Sequence, residues 1–131
     1  YGEQRGAALS DFNKDGRMDL VVSQNGAETK LYQNISGKPG LRIRLRGTKD
    51  NPLAVGATVQ LIFTGSRSPV KEIHAGSGYW PQDSAVLLFG LPENPISVKV
   101  RWPGGKITES KLNPGSKEVV INVDGKIINQ F

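Results

Sequence analysis

Apolar and polar positions alternate along most of this chain with a period of two. Leu41, Ile43 and Leu45 are separated by Arg42, Arg44 and Arg46. Val59, Leu61 and Phe63 share one face, as do Ile96, Val98, Val100 and Trp102, and then Val119, Ile121 and Val123. Each pattern predicts a half-buried strand. Ala85–Phe89 is an unbroken apolar run, as in a strand covered on both sides, and Val70–Ala75 is a weaker strand candidate. Asn25-Gly26 is a turn signal, Asp124-Gly125 is a two-residue hairpin signal, and Pro103-Gly104-Gly105-Lys106 turns Ile96–Trp102 into Ile107–Leu112. The strands ahead of them read as Gly6–Ser10, Leu20–Ser23 and Lys30–Gln33. No stretch has useful helical periodicity, and sixteen Gly and eight Pro punctuate the strands. The expected fold class is all-β, an antiparallel β-sandwich with Val59, Leu61, Phe63, Leu88, Val98, Val100, Val119 and Ile121 in its core. Ser36–Gly40 divides it by composition from an N-terminal element, giving units 1–35 and 41–131.

Composition narrows the chemistry. The 131 residues suffice for one domain plus an appendage and contain no cysteine, which excludes disulfides and thiolate chemistry. No membrane-spanning run is visible. The net charge of +5 is uneven: residues 1–40 balance five basic against five acidic side chains, while 41–131 hold twelve Lys/Arg and seven Asp/Glu. That excess suits an acidic partner such as an anionic polysaccharide, or serves as a solvated face. Arg42, Arg44 and Arg46 would project from one face at intervals of about 7 Å. Without interleaved aromatics, nucleic acid has little support as a partner.

The densest chemistry lies in Asp11-Phe12-Asn13-Lys14-Asp15-Gly16-Arg17-Met18-Asp19. Three carboxylates and an amide this close would accept a hard cation, and Ca²⁺ takes its oxygens from alternating positions of such loops. Asp11, Asn13, Asp15 and Asp19 are the expected side-chain ligands, with the Arg17 carbonyl as a further one. Gly16 permits the bend. A helix–loop–helix calcium loop would carry Glu at its twelfth position; here that residue is Val22, and Asp19 closes the loop between two strands. The alternative is an Asx-rich turn with no metal. The expected role of Ca²⁺ is to staple the loop, without a part in catalysis.

Residues Gly6–Val22 resemble an FG-GAP/VCBS-type repeat, the calcium-binding blade motif of integrin-like β-propellers. The resemblance implies a strand–loop–strand site outside the cell and upstream propeller repeats as partners within a longer, secreted or cell-surface protein. Four further blocks resemble the ASPIC/UnbV domain: Asn51–Val59, Gly76–Ser84, Phe89-Gly90-Leu91 and Val100–Gly105. That likeness runs from about Leu41 to Leu112. Two positions depart from the family's pattern, Thr58 where Arg is frequent and Leu88 where His is frequent. Any activity carried by those residues would be missing here.

A second candidate site is the loop Gly76–Ser84. It sets Tyr79 and Trp80 beside Gln82 and Asp83, a combination suited to stacking on sugar rings and bonding their hydroxyls. The same aromatics would serve equally to plug one end of the sandwich. His74 is the only histidine. Among Glu72, Asp83, Glu93 and Glu109 a carboxylate pair could be hidden, but no nucleophile or zinc-type set is present. The function expected is non-catalytic: a calcium-stabilised module for adhesion or for carbohydrate or protein recognition. An accessory domain of an enzyme and a structural propeller cap are the alternatives.

Overall fold

A computed structural model describes residues 3–75 and 85–131, with side chains from Gly6 onward. Twelve strands are described: β1 (Glu3–Ser10), β2 (Asp19–Asn25), β3 (Lys30–Tyr32), β4 (Leu41–Arg46), β5 (Thr58–Phe63), β6 (Ser66–Arg67), β7 (Lys71–Glu72), β8 (Leu87–Phe89), β9 (Ser97–Arg101), β10 (Ile107–Lys111), β11 (Glu118–Asn122) and β12 (Ile127–Gln130). They form three sheets. One is β1-β2-β3; the second is β10-β9-β5-β6, with β7 also on β5; the third is β12-β11-β4-β8. The expected all-β sandwich is therefore present.

The second and third sheets enclose the core. Val59, Leu61 and Phe63 of β5 and Val98 and Val100 of β9 meet Leu41, Ile43 and Leu45 of β4 and Val119 and Ile121 of β11. Each set is the core-facing half of an alternating strand; the other half is open in part, with Arg42, Ser97 and Val120 also buried. Trp102 is buried at the end of β9 and donates its indole N–H to Thr108 Oγ1 at 2.9 Å. Gly26 and Gly125 take positive φ at 70° and 79°, but neither turn is a two-residue hairpin: Val22 stands opposite Lys30 across the first, and Asn122 N–H donates to the Lys126 carbonyl at 3.0 Å across the second.

Three further expectations are corrected. Leu88 is only half-buried; Phe89 is the core residue of β8, with Ala85 and Leu87 packed against the same cluster. An unbroken apolar run carries no parity, and a shift of one residue exchanges the two faces. Ile96 lies exposed, outside the pattern that buries Val98 and Val100. The third sheet also contains one parallel pair: β11 runs alongside β4 with Glu118 opposite Arg42 and Asn122 opposite Arg46. Hydrophobic alternation records faces, not strand direction.

The boundary segment Ser36–Gly40 folds back onto the acidic loop. Gly40 N–H donates to the Gly16 carbonyl at 2.8 Å, and Arg17 Nε donates to the Gly37 carbonyl at 2.5 Å. A Cβ on Gly40 would stand 2.3 Å from the Phe89 carbonyl oxygen, so only glycine lets the chain enter β4 this close to β8.

Candidate metal centre

The acidic loop joins β1 to β2, whose antiparallel register runs from Glu3 opposite Asn25 to Ser10 opposite Asp19. The hairpin therefore brings the two ends of the loop together and sets Asp11 and Asp19 at its neck. Gly16 carries φ +82°, and the Cβ it lacks would stand 3.1 Å from Pro39 Cβ. The loop's donors are mostly its own backbone. Asp11 Oδ1 accepts from Asp15 N–H at 3.0 Å, and Asp11 Oδ2 from Gly16 N–H at 2.9 Å. Asp15 Oδ1 accepts from Arg17 N–H at 2.9 Å. Asn13 spans both ends of Asp15: its Oδ1 accepts from the Asp15 N–H at 3.3 Å, and its Nδ2 donates to Asp15 Oδ2 at 3.2 Å.

The three carboxylates differ in charge balance. Asp15 Oδ2 lies 3.3 Å from Arg17 Nη1. Asp11 Oδ2 lies 2.5 Å from Arg42 Nη1, and both side chains are almost wholly buried. Asp19 is 1% exposed, and among the described residues its carboxylate accepts from neutral backbone donors, Asn34 N–H at 2.8 Å and Phe12 N–H at 3.3 Å. It forms no ion pair among the described residues. A buried carboxylate held by amides alone is the kind of group a cation would stabilise.

The donor set matches a hard cation chemically, since carboxylate and amide oxygens are what Ca²⁺ selects. Among the described residues no three acidic side chains converge on one point. Each carboxylate nevertheless keeps acceptor capacity, because its two oxygens offer about four lone-pair sites. Arg42 already neutralises Asp11, so a metal here would add to an existing balance.

Asp15 titrates below its ordinary value of 3.8. Burial pushes it up, and the Arg17 backbone N–H, the Asn13 amide and the Arg17 guanidinium together outweigh that. A carboxyl lowered in the folded state adds stability that is present above its unfolded value and lost as pH falls through its folded one. Asp15→Asn, melted in chelator, is thus expected to flatten the acid limb of stability below pH 3.8. An acid limb identical to that of the parent would contradict this assignment.

Arg42 was not legible as a site residue. Its row was expected to be solvated, and Arg44 and Arg46 are indeed exposed, but Arg42 is 5% exposed. Besides Asp11 Oδ2 it reaches the Asp11 carbonyl at 3.3 Å, and its Nε donates to Glu118 Oε2 at 3.2 Å. It ties the acidic loop to β4 and β11. Asn34 was missed as well: its N–H holds Asp19, and its Oδ1 accepts from Gly37 N–H at 2.9 Å.

The remaining candidates are dispersed. Tyr79, Trp80, Gln82 and Asp83 lie outside the described residues. His74 is exposed, with Nδ1 3.8 Å from Glu72 Oε1. Glu109 accepts from Ser97 Oγ at 2.7 Å across β9 and β10. Lys71 is half-buried, which lowers its basicity; it donates to the Leu88 carbonyl and sits 5.1 Å from the centre of the Phe89 ring.

The sequence matches the family described as ASPIC and UnbV over residues 47–127, beginning and ending later than the blocks first suggested. It is 32% identical over 127 residues to Cartilage acidic protein 1 of Xenopus tropicalis, covering 93% of this chain and 20% of that protein. To the human protein of the same name it is 30% identical over 128 residues, covering 93% of this chain and 19% of that one. These alignments take in the acidic loop as well as the sandwich. The chain spans about a fifth of the length of the curated relatives it matches.

Proposed function

The chain belongs to the ASPIC and UnbV family, and we propose that it is a non-catalytic recognition module of a larger secreted or cell-surface protein. In this reading residues 1–35 are a propeller-type repeat and residues 41–131 the sandwich that follows it. Ca²⁺ stiffens the joint between them. The observation that carries the reading is the buried Arg42, which couples the acidic loop to both β4 and β11. The loop is thereby part of the framework of the sandwich, and anything that orders the loop orders the joint.

Three further features support it. Asp19 is an anion with no cation beside it among the described residues. Leu31, Tyr32 and Ile35 leave large apolar surfaces exposed along and after β3, as suits packing against a neighbouring repeat. The polar groups buried in the joint are engaged in holding one another, which leaves structural work as their use. The same exposed apolar row also suits the second reading, in which the chain is mainly a cap on a propeller.

Bound Ca²⁺ would draw on Asp11, Asn13, Asp15, Asp19 and the Arg17 carbonyl, and would neutralise the charge that the amides leave unbalanced. The melting temperature is therefore expected to rise by several degrees in millimolar calcium. A ligand at 100 times its dissociation constant adds about 2.7 kcal/mol. The rise is expected to vanish in Asp15→Ala. Superimposable melting curves in calcium and in chelator would remove the metal from this reading.

A further inference from the structure

The three arginines of β4 have different fates. Arg42 is paired with Asp11 and Glu118. Arg44 and Arg46 are exposed, and their side chains make no hydrogen bond or ion pair among the described residues. Their cross-strand neighbours on β11 are neutral, Val120 and Asn122, whereas Arg42 faces Glu118. On the other flank, the pairing of β8 with β4 covers only Leu41–Ile43, so it stops before Arg44. Beside this half of β4 lies an open groove of about 460 Å³, lined by Arg44, Arg46, Pro52, Leu53, Ala85 and Val86. Leu53 is itself exposed.

We propose that this groove binds an extended anionic polysaccharide, with Arg44 and Arg46 holding its sulfate or carboxylate groups. The proposal rests on the reading of the chain as a recognition module and names its ligand class. Residues two apart on a strand share a face and stand about 7 Å from one another. Two guanidinium forks at that spacing, with no acid paired to them among the described residues, present paired donors to successive anionic groups. The apolar flank of Pro52, Leu53 and Val86 suits the C–H faces of sugar rings. A polysaccharide charged on most of its sugars meets both arginines in many registers. An acidic peptide would need two acids at alternate positions of one extended segment. Nucleic acid would call for stacking faces, and no aromatic lines the groove among the described residues. The charge of the whole chain, +5, favours the same class of partner.

The test is calorimetric titration of the whole chain with a heparin-derived octasaccharide at low salt, alongside neutral dextran and polyglutamate. Charged hydrogen bonds contribute enough each that losing two should weaken binding about tenfold or more. That loss is expected in Arg44→Gln/Arg46→Gln. The exposed pair Arg67→Gln/Arg101→Gln removes the same charge elsewhere and should change affinity by less than about threefold. Equal losses in the two double variants would overturn the groove in favour of a diffuse field. Absent octasaccharide binding, or tighter binding of polyglutamate, would overturn the polysaccharide. Calcium-dependent melting of the same preparation separates the two failures. If it persists without saccharide binding, the groove alone falls; if both are absent, the calcium-stiffened joint of the proposed function falls with it.

Discussion

Replacing Arg42 with methionine is expected to lower the free energy of unfolding by about 3–5 kcal/mol, the range for removing one partner of a buried ion pair. The size follows from what the substitution leaves behind. The Asp11 side chain is 3% exposed and that of Glu118 14%, so both carboxylates would face a neutral, apolar neighbour with little access to water. Their backbone donors would remain on Asp11, from Asp15 and Gly16, which limits the loss there. Glu118 would have no such relief among the bonds described for its side chain. Urea unfolding in chelator measures the change without a metal contribution. Adding Asp11→Asn and Glu118→Gln to Arg42→Met should recover most of the loss, because the stranded charges go with their cation. A single Arg42→Met within about 1 kcal/mol of the parent would mean that water reaches this triad, as at a surface pair.

The second large effect concerns β8. Phe89→Ala is expected to cost about 3–5 kcal/mol, and Leu88→Ala under about 2 kcal/mol. Phe89 is 1% exposed and closes the core between the two sheets, while its neighbour is only half-buried. Removing the ring also takes away the face over which the Lys71 ammonium sits. The contrast between adjacent positions is the informative quantity. A larger cost at Leu88 than at Phe89 would show the strand turned over by one residue.

Strand positions were legible because one-sided burial imposes a period of two, which β5 obeys throughout and β4, β9 and β11 obey on their core-facing side. Phe89 was hidden where that period disappears. The acidic loop was legible because its oxygen side chains crowd into nine consecutive residues. The joint around it was not. Arg42 pairs with an acid 76 residues away, and nothing in Leu41–Arg46 distinguishes the first arginine from the other two. Its fate is decided by the parallel register that sets Glu118 opposite it and by the return of Gly37–Gly40 onto the loop. Both are tertiary choices that local alternation does not encode. The groove beside Arg44 and Arg46 was half legible: the charges were visible, but the absence of acids paired with them among the described residues was not.

The parallel alignment of β11 with β4 also governs the order in which this sandwich can be completed during synthesis. A hairpin such as β9 and β10 closes as soon as its own few residues leave the ribosome. β4 must wait for a strand that begins at Glu118. Until then its flank stays open, and Arg42 has only one of its two acids. Such long-range closure makes folding slow and leaves edge strands uncovered for a time. This sandwich therefore depends on β11, made after β4 to β10, to lock an arginine carried on β4.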